Sequence, residues 1–344
     1  MNPRPSVSLR DYSTMRLGGT ASYLCDVHNR IEVEQAVQWA YAHSLHVLMI
    51  GTGSNIVWTD TGFHGLVLVN KIQRFEKFEE DNENVYITIG GGENWDSVVA
   101  RSVELGLTGI EALSLIPGTA GATPIQNVGA YGQEIADTLV SIEAYDTTDK
   151  KFLTIPNADC EFSYRSSRFK TKDRGRYYIT TLTLHLSRGN PMPPYYPAVQ
   201  EYFKTHGVTN PRPADLRKAV IDIRTAKLPD PAKVANCGSF FGNPIINDEQ
   251  LEELLAHYSN LKYWQQGDKK HKVSAAWLVE QAGFKDTHDA QTGIGTWPTQ
   301  ALVLVNEFAK STADLLAFKQ KIVDEVQKKF GITLEQEPEL LGDK

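Results

Sequence analysis

A chain of 344 residues with 41% hydrophobic and 22% charged residues has the mixture of a soluble globular protein, and it is long enough for two or three units with buried cores. Its formal charge of −7, with basic residues scattered, argues against a surface that binds nucleic acid by neutralising phosphates. No apolar run reaches the roughly 20 residues that span a bilayer, and residues 1–10 lack a secretory apolar stretch, so a cytoplasmic protein without membrane insertion is expected.

Residues 31–45 carry Val33, Ala36, Val37, Ala40 and Tyr41 at helical spacing and lead into the apolar run Val47 to Ile50, which reads as a buried strand. The turn Gly51-Thr52-Gly53-Ser54-Asn55 follows. Strands dominate from there to Ser187: residues 66–69, 85–89, 140–145 and 177–186, interrupted by a helix over 95–105 with Asn94 as its cap. The prolines 191, 193, 194 and 197 break regular structure and mark a connector or projecting loop. Helices are expected over 213–225, 248–258 and 274–282. Another follows Ser311, where Ser311 and Asp314 suggest a capping box and Gly331 the stop. Residues 332–337 alternate like a strand, with Ile332 and Leu334 inward and Glu335 and Glu337 on the opposite face. The fold class is α+β, with no strict βαβ repeat.

Cys25, Cys160 and Cys237 are widely spaced and form no CxxC pair, so neither a disulfide framework nor a zinc site is indicated, and no metal is expected. Cys237 stands two residues before Ser239; it reads as a small buried filler, with a reactive thiol as the alternative.

Five segments can carry chemistry. Residues 51–55 and 118–132 (GTAGATPIQNVGAYG) combine Gly with Ser, Thr and Asn, which let a backbone approach a diphosphate and offer it donors; the same composition also makes plain tight turns. Gly90-Gly91-Gly92 is a third such stretch, and no GxGxxG stands at a strand-to-helix junction, so a Rossmann site is not supported. Residues 162–170 set Arg165, Arg168 and Lys170 among hydroxyls and aromatics, as an anion or enolate site needs and as a solvated basic turn also would. Gly238-Ser239-Phe240-Phe241 places a hydroxyl between a glycine and two apolar rings, which suits a proton donor shielded from water and equally a structural serine.

Seven segments in order resemble the UDP-N-acetylenolpyruvoylglucosamine reductase (MurB) family of type I: residues 13–21 (STMRLGGTA), 50–57, 116–132, 164–169, 224–244, 272–281 (KVSAAWLVEQ) and 334–342. The resemblance implies a two-part FAD-binding domain of the vanillyl-alcohol-oxidase (PCMH) type, residues 1–71 and 72–220 with a loop at 188–213. A smaller α+β substrate-binding domain follows at 221–330, then a C-terminal strand at 331–344. It also implies NADPH-dependent reduction of UDP-N-acetylglucosamine enolpyruvate to UDP-N-acetylmuramate in cell-wall precursor synthesis. FAD would lie against Gly51, Thr52, Gly53, Ser54, Asn55, Pro117, Gly118, Thr119, Gly121, Ala122, Gln126, Asn127, Gly129, Ala130 and Tyr131. Ser54 and Asn55 occupy the stretch where related oxidases attach flavin through histidine, so the cofactor is expected to be non-covalent.

By the same resemblance, NADPH reduces the flavin, and hydride then passes to carbon 3 of the enolpyruvyl group. Arg165 stabilises the charge that develops, Ser239 protonates carbon 2, and Glu335 assists, with Glu337 nominated if the alignment is displaced by two residues. Tyr196, Lys227, Asn243 and Tyr263 match substrate-binding positions. A monomer is expected. Two other readings differ in what they need. An oxygen-using alcohol or sugar oxidase of the same superfamily needs neither NADPH nor the GSFF and LExE segments, and a non-catalytic flavin or nucleotide-sugar module would dispense with Arg165, Ser239 and Glu335.

Overall fold

The computed structural model describes residues 1–343. The chain forms two compact units, one of residues 1–7, 21–52 and 64–226, the other of residues 8–20, 53–63 and from 227 onward.

Besides a two-stranded ribbon, Gly129–Ala130 with Gln133–Glu134, the first unit contains two main sheets. One has the strand order Arg4–Ser8, Thr20–Val27, Phe63–Asn70, His46–Ile50, the last two parallel with His46 opposite Gly65 and Ile50 opposite Val69. Helix Arg30–Ala42 covers it with Val33, Ala36, Val37 and Ala40, all fully buried. The larger sheet is antiparallel, in the order Lys151–Pro156, Leu139–Asp146, Tyr177–Arg188, Asn84–Gly90, Phe75–Glu79. Alternate residues Val85, Ile87 and Ile89 point into its core, the period-2 pattern of a sheet with one wet face.

Helix Trp95–Glu104 closes that core. Its start is fixed by Asn94, whose side chain accepts the Ser97 N–H at 2.9 Å, and its Trp95, Val98 and Val99 are completely buried. Each such side chain contributes roughly 1.5–3 kcal/mol through burial. The proline-rich connector is more ordered than a projecting loop. Pro197 sits in the first turn of a helix, Pro197–Thr205, where its missing N–H costs nothing. Val199 and Phe203 then pack on Leu216, Ala219 and Val220 of helix Pro213–Lys227.

In the second unit, strands Ala235–Ser239, Gln300–Asn306 and Ile294–Trp297 form one antiparallel sheet and Ile245–Ile246, His271–Val273 and Tyr263–Gln265 another. Helix Thr312–Phe330 buries Leu315, Phe318, Ile322, Val326 and Phe330 against them and ends at Gly331 in the left-handed conformation, as its sequence pattern predicts. Its N-terminus is capped differently from the expected box. Ser311 accepts the Ala313 N–H, but the acidic partner is Asp60, which accepts from Thr312 N–H at 2.7 Å and Ala313 N–H at 3.0 Å; a carboxylate there also meets the positive end of the helix dipole. The strand expected over 332–337 is not formed. Ile332 and Leu334 are buried as anticipated, yet this stretch pairs only through a bridge between Gln336 and Phe241, and a regular strand begins at Glu339, parallel to Ile56–Trp58.

Candidate functional site

In the first unit, glycine-rich segments that are far apart in sequence meet closely. A Cβ on Gly51 would lie 2.3 Å from the Thr119 hydroxyl oxygen, so only glycine allows the two loops this approach. Gly121 N–H donates to the Gly91 carbonyl at 2.9 Å, and a Cβ on Gly121 would sit 2.9 Å from that oxygen. The need for glycine at 121 is thus backbone packing. Glu93 and Trp95 continue the ladder, through Ala120 N–H to Glu93 O at 2.9 Å and Trp95 N–H to Gly118 O at 3.1 Å.

Asn127 is fully buried with φ +48°. Its amide donates to Ser163 O at 3.2 Å and its carbonyl accepts the Ala136 N–H at 3.1 Å. The side chain therefore braces the loop. It also sets the turn Ser163–Ser166, closed by reciprocal backbone bonds of 3.1 Å. Arg165 occupies that turn at φ +53°, an unfavourable region for a bulky residue and one that recurs at functional sites. Its guanidinium donates to Gly129 O at 2.8 Å and lies 5.4 Å from the Tyr164 ring. Lys170 joins Gln126 Oε1 at 3.2 Å to Arg165 O at 3.4 Å. The basic turn and the second glycine-rich loop are thereby one assembly.

Two participants were given no role by the sequence, although Arg224 opens the segment 224–244. The Arg224 charge bears on the Tyr131 hydroxyl, while its Nε is buried with no hydrogen-bond partner among the described residues; burial pulls its pKa down. An orphaned guanidinium N–H is costly. This leaves one buried cationic donor beside the second glycine-rich loop that no group among the described residues accepts from. The second is Asp96, in the first turn of helix Trp95–Glu104. Tyr131, at φ +49°, also meets Tyr196 edge-on at 5.4 Å, and the Tyr196 ring is 43% exposed.

In the second unit, Ser239 ends strand Ala235–Ser239 at an irregularity in its pairing with Gln300–Asn306. Gly238, at φ +78°, makes the kink, and buried Asn236 holds it by accepting the Gly238 N–H at 3.0 Å. Phe240 and Phe241 face the core of the unit. They anchor the strand in that core. The acidic segment lies directly alongside, since Gly242 N–H donates to Glu335 O and Glu337 N–H to Phe240 O, both at 3.0 Å. The Glu335 side chain is exposed and Glu337 half-buried. Burial pushes the Cys237 thiol far up, and the Glu337 charge adds to the rise, so Cys237 is an inert filler.

Asn243 accepts the Ala275 N–H at 2.9 Å at the start of helix Ala275–Gln281. Although Lys227 reaches water, desolvation, then the nearby Lys262 charge, lowers its pKa. The Tyr263 ring is 41% exposed and rests edge-on against His271 at 5.9 Å. No helix among the described residues is long and apolar enough to cross a membrane, and no cluster of His, Cys, Asp and Glu suited to a metal occurs among them.

Comparison with known proteins gives a consistent picture. Residues 21–154 match the FAD binding domain family and residues 230–341 the C-terminal domain of UDP-N-acetylenolpyruvoylglucosamine reductase. The chain is 40% identical over 334 residues to the UDP-N-acetylenolpyruvoylglucosamine reductase of Cupriavidus pinatubonensis, covering 97% of each. It is 36% identical over 343 residues to that of Chromobacterium violaceum, covering 98% of each. In fold it is similar to the crystal structure of UDP-N-acetylenolpyruvylglucosamine reductase from Thermus caldophilus, with a TM-score of 0.68, 22% identity and 99% of both chains covered.

Proposed function

Because the chain belongs to the UDP-N-acetylenolpyruvoylglucosamine reductase family, we propose that it uses NADPH and non-covalent FAD to reduce UDP-N-acetylglucosamine enolpyruvate to UDP-N-acetylmuramate for peptidoglycan. The cofactor, when bound, supplies two-electron storage between nicotinamide and substrate. Residues 51–55 and 117–131 are assigned to hold it, and the approach of Gly51 to Thr119 supports that assignment.

The remaining work falls to side chains. Hydride addition at carbon 3 of the enolpyruvyl group leaves negative charge on carbon 2 and its carboxylate, and the Arg165 guanidinium, held by Gly129 O, is assigned to bind that charge. A preorganised donor of this kind is worth about 3–4 kcal/mol of barrier. The Ser239 hydroxyl delivers the proton to carbon 2. A serine is acidic enough only for so basic an acceptor, and its alkoxide must be reprotonated by a neighbouring acid.

For that acid, two observations favour Glu337 over the Glu335 nominated by the ungapped resemblance. Glu337 is half-buried where Glu335 is exposed, and its charge bears on Cys237, two residues from Ser239. Lys227, Asn243, Tyr263 and Tyr196 are assigned to the nucleotide-sugar. The enzyme is proposed to act as a cytoplasmic monomer, which sedimentation of the holo-protein checks.

The observation that carries the chemical reading is the pairing of the acidic segment with the strand of Ser239, through the bond from Glu337 N–H to Phe240 O. The test is NADPH oxidation by the yellow purified protein with and without UDP-N-acetylglucosamine enolpyruvate. Consumption of one NADPH per substrate reduced supports it. No NADPH oxidation in either case, with oxygen consumed when an alcohol or sugar is added, favours the oxidase reading.

A further inference from the structure

Three consecutive residues, Asn94 to Asp96, hold the whole entry to the second glycine-rich loop. Asn94 forms a backbone bridge with Thr119. Trp95 binds both sides of the entry, its indole N–H donating to Leu113 O at 3.1 Å and its backbone N–H to Gly118 O at 3.1 Å. Between those two points the chain passes through Leu115, a branched residue at φ +57° with its side chain 38% exposed. A left-handed conformation is unfavourable for a branched, half-exposed residue. What fixes it is Asp96, whose Oδ1 accepts the Leu115 N–H at 2.6 Å.

The same carboxylate is gripped by Arg217 of helix Pro213–Lys227, at 2.6 Å to Oδ1 and 3.0 Å to Oδ2, a two-pronged geometry that sets direction as well as distance. Burial of Asp96 opposes its ionisation, but Arg217 and the Leu115 N–H outweigh it and its pKa stays below the usual aspartate range. Arg217 lies two helical turns before Arg224, on the same face, and the Arg224 charge bears on Tyr131 at the far end of the loop. Asp96 therefore holds one end of residues 115–131 directly, and it grips the helix that carries Arg224 toward the other.

We propose that Asp96 is a positioning residue for the flavin: by holding Leu115 in its left-handed turn it presets the backbone of residues 116–119 in the cofactor-binding shape. This rests on the assignment of that loop to FAD. Its chemistry separates two roles of one side chain. Asn in place of Asp keeps an oxygen for the Leu115 N–H and loses the ion pair, whereas Arg217→Met loses the ion pair and leaves Asp96 on Leu115.

The experiment dilutes the holo-protein and follows the rise of flavin fluorescence as FAD is released, with the thermal midpoint of each variant measured alongside. Release is expected to be about tenfold or more faster in Asp96→Ala, and within about threefold of wild type in Asp96→Asn and Arg217→Met, although those two also lower the thermal midpoint. If Asp96→Ala does not accumulate in folded form, Asp96→Ser, shorter by one atom, takes its place. Release that follows thermal stability alone, with Arg217→Met as fast as Asp96→Ala, overturns the proposal, as does failure of Asp96→Asn to restore retention. Gly51→Ala, whose methyl would strike the Thr119 hydroxyl, separates the two readings. If it speeds release while Asp96→Ala does not, only the role of Asp96 falls. If neither changes release, the loop assignment itself is wrong.

Discussion

Replacing Glu337 with Gln removes an acid and a charge while keeping the side chain's length, and the surroundings set what this should cost. Glu337 is half-buried, its own N–H is bound to Phe240 O at 3.0 Å, and it bears on the Cys237 thiol, so the carboxyl is held close to the strand that ends in Ser239. An acid acting in the transition state contributes about 10²–10⁴-fold. Glu335 is exposed, and substitution of an exposed residue without such contacts usually stays within about 0.5 kcal/mol, roughly twofold in rate. The assay is a single turnover in which enzyme reduced by one equivalent of NADPH is mixed with the enolpyruvyl substrate and flavin reoxidation is recorded. Glu337→Gln should be slowed at least about 100-fold with flavin reduction by NADPH unchanged, and Glu335→Gln by no more than about twofold. Reoxidation of the Glu337→Gln enzyme within about threefold of wild type would refute the reasoning. A large loss in Glu335→Gln alone would return the role to the first acid.

Ser239→Ala should leave the bleaching of flavin by NADPH intact and slow reoxidation by substrate at least about 100-fold; equal impairment of both half-reactions would exclude a proton donor. Asp60→Ala strips helix Thr312–Phe330 of two N–H acceptor contacts and should lower stability by about 2 kcal/mol, read as a lower urea midpoint at unchanged slope. Asp146 is held below the usual aspartate range chiefly by Arg176, in a bidentate pair reaching 2.7 Å, and further by the N–H groups of Thr148 and Asp149. Since its folded pKa is the lower one, its contribution is complete above the unfolded value of about 3.9 and is lost as pH falls through the folded value. Asp146→Asn should therefore reduce the urea midpoint at neutral pH and flatten its decline below about pH 4. Finally, burial raises the thiols of Cys25 to about 11 and Cys160 to about 12, and that of Cys237 further; an aromatic disulfide reagent should titrate them only after denaturation.

Local signals made much of the fold legible. The cap at Asn94, the apolar spacing after Ser311 and the stop at Gly331 are each contained within a turn or two of chain, so the elements they delimit could be read directly. What was missed depends on partners remote in sequence. Asp60 displaces the expected capping box from a position 252 residues before Thr312, and no local pattern announces it. The helix Pro197–Thr205 was hidden because Pro197 reads as a breaker inside a proline cluster, although in a first turn it is a starter. Alternation over 332–337 reported the burial of Ile332 and Leu334 correctly, but the stretch bridges at Gln336 to Phe241 and forms no regular strand. At the site, composition singled out the glycine-rich loops and Arg165. The bracing role of Asn127 and the joint grip of Asp96 on Leu115 and Arg217 become visible only when three distant segments are side by side.

Strand Glu339–Leu341 lies parallel to Ile56–Trp58, and Glu339 N–H donates to Asn55 O at 3.0 Å. During synthesis the first unit has all its residues once position 226 has emerged, whereas the second must wait for position 341 before its earliest strand gains a partner. Domains fold as units while the ribosome elongates, so nascent chains stalled before the final strand would carry a complete first unit and an unpaired strand Ile56–Trp58 in the second. A stop ten codons early would remove both Glu337 and the strand Glu339–Leu341 that pairs with Ile56–Trp58.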